Sequence, residues 1–298
     1  MSQINLTQAQ TKVFLNQERF RVLVAGRRFG KTYLALTELL HASISKPNSI
    51  NWYVAPTYRQ AKQIAWKSLK QMMPPSQIAA TNETDLSVEL NNGTIAALRG
   101  ADNYDALRGV GLDLVVMDEF ADMHADAWFE VLRPMLADKQ GRALWIGTPK
   151  GYNHFHDLYR YAQDTDEWGA WQFTTADGAR VAEDEIAAAR RDMGEREFRQ
   201  EFMATFEALA GRVYSNFDRD DNVRDLQDNG GTLYVGMDFN VDPMTAVIAV
   251  KAADQLHILD EIEMGDSNTE LMAGEIKRRF KQRDIVVYPD PSGRARKT

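Results

Sequence analysis

The chain has no cysteine, which excludes disulfides and cysteine-ligated zinc and fits a reducing compartment. Histidine is sparse: of five in 298 residues only His154 and His156 stand close together, and they read as surface residues near a helix start rather than as metal ligands. No apolar run approaches membrane-spanning length, and Met1 to Gln10 is too polar for a signal peptide. Positive charge is not in surplus either. A net charge of −8 argues against a protein that coats nucleic acid statically through a basic surface, while leaving transient grip open. Basic residues do cluster late, at Lys277, Arg278, Arg279, Lys281 and Arg283 and again at Arg294, Arg296 and Lys297; they read as a local positive face or, equally, as a solvated helix face. There is no repeat and no low-complexity tract. What is present, 44% hydrophobic and 26% charged residues, is the composition of a globular protein, long enough for two domains.

The most informative segment is Ala25 to Thr32, A-G-R-R-F-G-K-T, directly after the apolar run Val22-Leu23-Val24. A strand feeding a glycine-bearing turn, with Lys31-Thr32 opening a helix, presents backbone N–H groups at a positive helix end, the requirement for binding polyphosphate. Leu112 to Glu119, L-D-L-V-V-M-D-E, then supplies an apolar strand ending in paired carboxylates. Asp118 is the expected Mg²⁺ holder and Glu119 the group that orients attacking water. The alternative, a tight turn with a solvent-facing lysine, leaves two adjacent strand-end carboxylates unexplained, since they repel without compensation.

Along the first 150 residues, Arg21 to Ala25, Asn51 to Ala55, Leu112 to Glu119 and Ala143 to Gly147 read as strands. Thr32 to His41, Tyr58 to Met73 and His124 to Leu136 read as helices. This alternation predicts an α/β fold, a parallel sheet covered by helices on both faces. Ser87 to Leu90 and Thr94 to Leu98, joined by Asn91-Asn92-Gly93, read as an inserted hairpin. Glu183 to Asp192 and Glu195 to Phe206 read as helices of a small subdomain beside the nucleotide, and Gly211 to Gly231, rich in Asp, Asn and Gly, as a boundary. Beyond it, Leu233 to Phe239, Thr245 to Val250 and Gln255 to Glu263 read as a three-stranded meander, followed by a helix over Asn268 to Phe280 and a strand over Ile285 to Asp290.

Asp238 closes the strand L-Y-V-G-M-D and Asp290 closes I-V-V-Y-P-D. Acids at the ends of neighbouring strands are how two-metal nucleases hold divalent ions against a phosphodiester, and they are also ordinary turn residues. Asp260, Glu261 and Glu263 add carboxylates, of which strand alternation lets only some share a face.

With these residues in hand, the chain resembles the large terminase subunit of tailed bacteriophages, a DNA-packaging ATPase joined to an RNase H-like nuclease. The resemblance is carried in the family's order by A-G-R-R-F-G-K-T, V-V-M-D-E, L-W-I-G-T-P at Leu144 to Pro149, R-E-F-R-Q-E-F-M-A-T-F at Arg196 to Phe206, G-M-D-F-N-V-D-P and Y-P-D-P-S-G. It implies a P-loop ATPase motor domain over residues 1–210 with a helical subdomain near its end, a linker over 211–231, and an incomplete RNase H-like mixed α/β domain over 232–298.

By the same resemblance ATP is bound by Ala25, Gly26, Gly30, Lys31 and Thr32, with Mg²⁺ at Thr32 and Asp118 and Glu119 as catalytic base. Arg27 or Arg28 would reach the γ-phosphate. Thr148 matches the residue that couples hydrolysis to DNA movement. Gln10, with Gln8 as rival, resembles an adenine-reading glutamine, and Arg108 a finger offered to a neighbouring subunit. Asp238 and Asp290 match the first two nuclease acids for Mg²⁺ or Mn²⁺; the family's last acid lies beyond the stretch present here, so either the sequence is a fragment or the product carries half a nuclease site. The implied partners are double-stranded DNA, a portal protein, a terminase small subunit and copies of the chain itself, forming a homo-oligomeric ring when packaging with a monomer as the solution alternative. No membrane is involved, and the implied location is the host cytoplasm, docked transiently on the procapsid portal. Two other readings remain: a helicase-like nucleic-acid translocase, although only one phosphate loop is present, and a non-hydrolysing ATP-binding scaffold. No Asn-Lys-x-Asp guanine-reading motif occurs.

Overall fold

The computed structural model describes residues 4–207, 222–226, 228–239 and 242–290, in two compact units, Met1–Arg212 and Val213–Thr298. Arg294, Arg296, Lys297 and most of the expected linker lie outside the described residues.

In the first unit the chain enters through α1 (Gln8–Phe14), β1 (Phe20–Ala25), α2 (Lys31–Ser45) and β2 (Ile50–Ala55). Next come α3 (Tyr58–Ala61), a π-turn over Lys62–Trp66, α4 (Lys67–Met72), β3 (Ile78–Asn82), β4 (Ser87–Leu90), β5 (Ile95–Gly100) and β6 (Leu114–Asp118). A second π-turn, Ala127–Leu132, leads into α5 (Arg133–Met135), β7 (Arg142–Gly147), α6 (His154–Gln163), β8 (Trp168–Phe173), α7 (Glu183–Asp192) and α8 (Glu195–Glu201).

The eight strands form one sheet in the order β3-β4-β5-β2-β6-β7-β1-β8, parallel from β5 to β8 and antiparallel only in β3-β4-β5. The parallel strands are buried on both sides, as their unbroken apolar runs require. Leu23, Tyr53, Val116 and Ile146 point to one face, under Leu34, Leu36, Leu39 and Trp66. Val22, Val24, Trp52, Val115, Met117 and Trp145 point to the other, under Trp128, Phe155 and Leu158. Because β6 and β7 lie between β1 and β2, the C-terminal ends of β1, β6 and β7 come level: Val24 pairs with Gly147 and Asp118 with Ile146. Ligands of parallel sheets bind at such ends.

Several expectations need correction. The Ser87 to Leu98 hairpin is not an insertion, since β5 pairs in parallel with β2 and belongs to the main sheet. The strand expected over Leu112 to Glu119 stops at Asp118, because Glu119 turns into a left-handed conformation at φ 53°. The Tyr58 to Met73 helix is interrupted by its π-turn, and His124 to Leu136 is mostly π-turn rather than α-helix. The Glu195 to Phe206 helix ends at Glu201, and Ala204 then takes φ 58°. In the second unit, β9 (Leu233–Asp238), β10 (Met244–Ala252) and β11 (Gln255–Met264) form the antiparallel meander; α9 (Thr269–Arg279) buries Met272 and Ile276, and β12 (Ile285–Pro289) pairs in parallel with β9. Among the described residues no helix is long and apolar enough to cross a membrane.

One buried ion pair sets α2 on the sheet. Arg21 of β1, fully buried, donates to Glu38 of α2 at 2.6 Å and to the Val13 carbonyl at 3.0 Å, while its Nε and Nη2 have no partner among the described residues. A buried cation satisfied this sparsely depends on its counter-ion. Glu38→Ala should cost about 3–5 kcal/mol in urea melts, whereas the double change Arg21→Met/Glu38→Leu should recover most of it. Equal losses in the two variants would show that packing, not the stranded charge, carries the effect.

Candidate nucleotide site

The turn after β1 is shaped by contacts on its back. The Gly26 N–H donates to the Phe173 carbonyl at 3.0 Å, and a Cβ at Gly26 would stand 2.6 Å from Thr175 Oγ1 and 2.7 Å from the Phe202 carbonyl. Gly30, which caps α2, has φ 96°, and a Cβ there would meet Gln10 Nε2 at 2.5 Å. Both positions therefore need glycine. Ala25 does not: it is the last residue of β1, paired with Phe173, which is how the loop dispenses with the first glycine of the usual pattern.

Lys31, the first residue of α2, is 6% exposed. Its ammonium donates to the Ala25 carbonyl at 3.0 Å, the Gly26 carbonyl at 3.2 Å and Thr148 Oγ1 at 2.8 Å. Glu119 Oε1 is 3.8 Å away. Burial pushes the lysine pKa down, against the pull of Glu119 and Asp118. The N–H groups that open α2 have no partner within the helix, so a fixed cation stands beside donors suited to an anion.

Asp118 ends β6 two residues after Val116, so it faces α2, as Tyr53 does beside Val116 in the register. Its Oδ2 accepts from Thr32 Oγ1 at 3.0 Å and from the fully buried Tyr53 hydroxyl. Oδ1 is buried with no partner among the described residues. Burial, then the neighbouring Glu119, raise the Asp118 pKa to about 6, against the hydrogen bonds and Lys31. A buried carboxylate oxygen without a partner, next to a threonine hydroxyl, fits a divalent cation. No group of three or more His, Cys, Asp or Glu among the described residues could hold a metal by itself, and an ion of the Mg²⁺ type needs only one or two carboxylates besides phosphate and water. Glu119 is 35% exposed, and its Oε2 accepts from the Thr148 N–H at 3.2 Å. Thr148 thus touches both Lys31 and Glu119.

The other expected residues are placed differently. Gln10 is buried beneath the loop: Oε1 accepts from the Thr7 N–H at 3.0 Å and Nε2 donates to the Phe29 and Gly30 carbonyls at 3.1 and 3.3 Å. In this arrangement its amide holds the loop, while Gln8 is exposed. Arg27 is paired with Glu201. Arg28, at φ 61°, is exposed. Arg108 donates to the Glu130 carbonyl at 2.9 Å and lies 3.1 Å from Asp105. His154 meets the Phe120 carbonyl, and His156 meets Asp157. Tyr53 and Glu201 were not expected as site residues: Tyr53 carries no local sequence signal, and Glu201, although inside the Arg196 to Phe206 stretch, has no spacing that pairs it with Arg27.

In the second unit, Pro289 pairs with Met237 and the Asp290 N–H donates to the Met237 carbonyl at 2.9 Å, so Asp238 and Asp290 follow on adjacent strand ends. The described residues there form no ligand group of three. The basic run is largely neutralised: Arg278 and Arg279 pair with Glu275, Arg279 also with Asp260, and Arg283 with Asp228.

A largely parallel sheet, a glycine-bearing turn into a helix and an acid-tipped strand two places along the sheet define a P-loop NTPase fold. Residues 22–221 match the family described as terminase large subunit, T4likevirus-type, N-terminal, and the chain belongs to the terminase large subunit family. The large subunit of Escherichia phage T5 is 30% identical over 291 residues, covering 91% of this chain and 66% of that relative. The large subunit of Thermus phage G20c is 30% identical over 169 residues, covering 50% of this chain and 35% of that relative. The chain therefore spans under two thirds of the length of either. Among solved structures, the ATPase domain of the Thermus phage P74-26 large terminase superposes with a TM-score of 0.62 at 24% identity, covering 68% of this chain and 94% of that one. A large terminase from a thermophilic bacteriophage gives 0.60 at 16%, covering 97% of this chain and 78% of that one. These two share the fold.

The buried Asp118 gives a pH test. Its pKa is higher folded than unfolded, so its contribution to stability is present below about pH 4 and lost as pH rises through about 6, a penalty of up to about 3 kcal/mol by pH 8. Asp118→Asn keeps acceptors for Thr32 and Tyr53 without the charge. In denaturant melts with chelator it should be more stable than the parent at pH 8 and gain little at pH 4. A gain independent of pH would overturn the assignment of the penalty to ionised Asp118.

Proposed function

We propose that this chain binds ATP with Mg²⁺ and hydrolyses it as the motor that drives double-stranded DNA into a procapsid. The observation that carries the reading is the convergence, at level strand ends, of the Lys31 ammonium, the partnerless Asp118 oxygen beside Thr32, and a Glu119 carboxylate anchored by Thr148. The thermophilic-phage large terminase that shares the fold has been solved in complex with ADP and with ATP-gamma-S.

In this reading the α2 N–H groups and Lys31 take the β- and γ-phosphates, and Thr32 with Asp118 would hold Mg²⁺. The ion, when bound, neutralises charge on the transferring phosphoryl group. Lys31 already rests on its own loop's carbonyls, so little reorganisation accompanies binding. Glu119 orients the attacking water and takes its proton. Arg27 or Arg28 reaches the γ-phosphate, and Arg108 serves a neighbouring copy in a ring. Gln10 acts by bracing the loop near the base. Thr148 couples turnover to DNA movement, because a phosphate oxygen that replaces its hydroxyl on Lys31 also disturbs its bond to Glu119. Portal protein and small subunit are the partners, in the host cytoplasm at the portal. Residues 232–298 are read as part of an RNase H-like nuclease carrying two of its acids, Asp238 and Asp290.

Phosphate release measured with and without linear double-stranded DNA tests the motor. Lys31→Ala should lose ATP binding and turnover, and Glu119→Gln should bind ATP while its turnover falls by about a hundredfold or more. Parental turnover in Glu119→Gln would remove the base assignment. Binding without release in the parent would make the chain a scaffold.

A further inference from the structure

Glu119 faces the site from a left-handed backbone, φ 53°, which surrounding structure has to hold. Thr148 draws in its carboxylate. The turn that follows, Phe120–Asp122, is held in addition by three side chains that come after β7. Lys150 pairs with Asp122, Asn153 Nδ2 donates to the Ala121 carbonyl at 3.3 Å, and His154 Nε2 lies 2.9 Å from the Phe120 carbonyl. A carbonyl only accepts, so His154 is the donor and its Nε2 carries the hydrogen.

These three holds differ in strength. The Lys150 and Asp122 side chains are 41% and 34% exposed, and a pair so open to water fixes little. Asn153 is divided, because its Oδ1 caps α6 by accepting from the Phe155 and His156 N–H groups at 3.1 and 3.4 Å. His154 is half-buried and sets its ring edge-on to Phe120 at 4.9 Å, while Phe120 itself is 1% exposed and meets Trp145 and Phe155. His154 opens α6, which is fixed to the sheet by buried Phe155, Leu158, Tyr159 and Ala162. It therefore ties the residue next to Glu119 to a rigid element. The two histidines that stand close in the sequence thus part company: His156 meets Asp157, and His154 turns to the support of the site.

We propose that His154 is a positioning residue for Glu119, its donated hydrogen bond holding the Phe120 carbonyl and with it the strained turn that brings the second acid beside Lys31. The inference rests on the ATP reading above. His154 itself touches neither phosphate nor Mg²⁺ in this role; it acts only through where Glu119 stands. Displacing a catalytic group by about 1 Å can cost about a hundredfold in rate, so one bond at the neighbouring residue carries weight.

Two variants separate the donor from the ring. His154→Phe keeps an aromatic edge against Phe120 and loses the N–H, whereas His154→Gln loses the ring and keeps an N–H. The whole chain and each variant are compared by ATP turnover, by the Kd for Mg²⁺-ATP-gamma-S and by urea melts. His154→Phe should lose about tenfold in kcat with Kd within about twofold of the parent, and His154→Gln should recover most of that loss. Added to Glu119→Gln, His154→Phe should slow turnover no further, because it acts through the group already removed. Parental kcat in His154→Phe overturns the proposal, even where its melt shows lost stability. So do a loss that appears as weaker nucleotide binding, an equal loss in His154→Gln, and additive losses in the double variant. A parent without turnover removes the ATP reading itself and is recognised before any variant is compared.

Discussion

The ammonium of Lys31 is the constraint around which the rest is arranged. It has three protons to donate, and all three are used, on two carbonyls of its own loop and on the Thr148 hydroxyl. Among the described residues no carboxylate lies within hydrogen-bond distance; the nearest, Glu119, is at 3.8 Å. A buried cation held chiefly by dipoles keeps most of its charge available, and burial accordingly pushes its pKa down. The two carbonyls are fixed by the β1 turn, whereas a hydroxyl can rotate away at little cost. Thr148 is therefore the replaceable partner, and its N–H bond to Glu119 means that replacement is felt at the second acid.

Sheet order makes this possible. β6 and β7 are interposed between β1 and β2, so the lysine-bearing turn, Asp118 and Thr148 meet although they are far apart in the chain. Period-two alternation then fixes orientation: Asp118 lies on the face of Val116, the face of α2, where Thr32 and Tyr53 reach the same oxygen. With both donors on Oδ2, Oδ1 is left partnerless and the carboxylate's rotation is settled. The cost is a buried acid, tolerable where a cation completes it.

The loop, α2 and the acid-tipped strand were legible in the sequence because each is a local pattern, with apolar period and punctuation within about ten residues. So were the meander and α9 of the second unit, where hydrophobic alternation matches the pleat. Less visible was whatever depends on distant packing. β8 reads W-G-A-W-Q-F, with Gly and Ala at its centre in place of β-branched residues, yet it joins the sheet beside β1 and Trp168 stacks on Trp145 at 5.4 Å. α8 ends early because Phe202 gives its carbonyl to Thr175. Tyr53 and Glu201 meet their partners across 65 and 174 residues, and no spacing rule reaches that far.

Two left-handed residues, neither of them glycine, flank the lysine: Arg28 at φ 61° in the loop and Glu119 at φ 53° after the end of β6. Such backbone costs on the order of 1 kcal/mol or more per residue, and surrounding structure must impose it. For Glu119 the imposing contact is the Thr148 N–H on its carboxylate, reached only because the chain turns sharply after Asp118. Continuing the strand would carry Glu119 to the opposite face from Asp118, away from Lys31, since successive strand residues alternate. The strained turn is therefore what lets two consecutive acids serve one site. For Arg28 the reversal lies between Arg27, drawn back to Glu201, and buried Phe29, stacked on Phe173 at 5.6 Å. It leaves the two adjacent arginines unequal, one tied to α8 and one open to solvent.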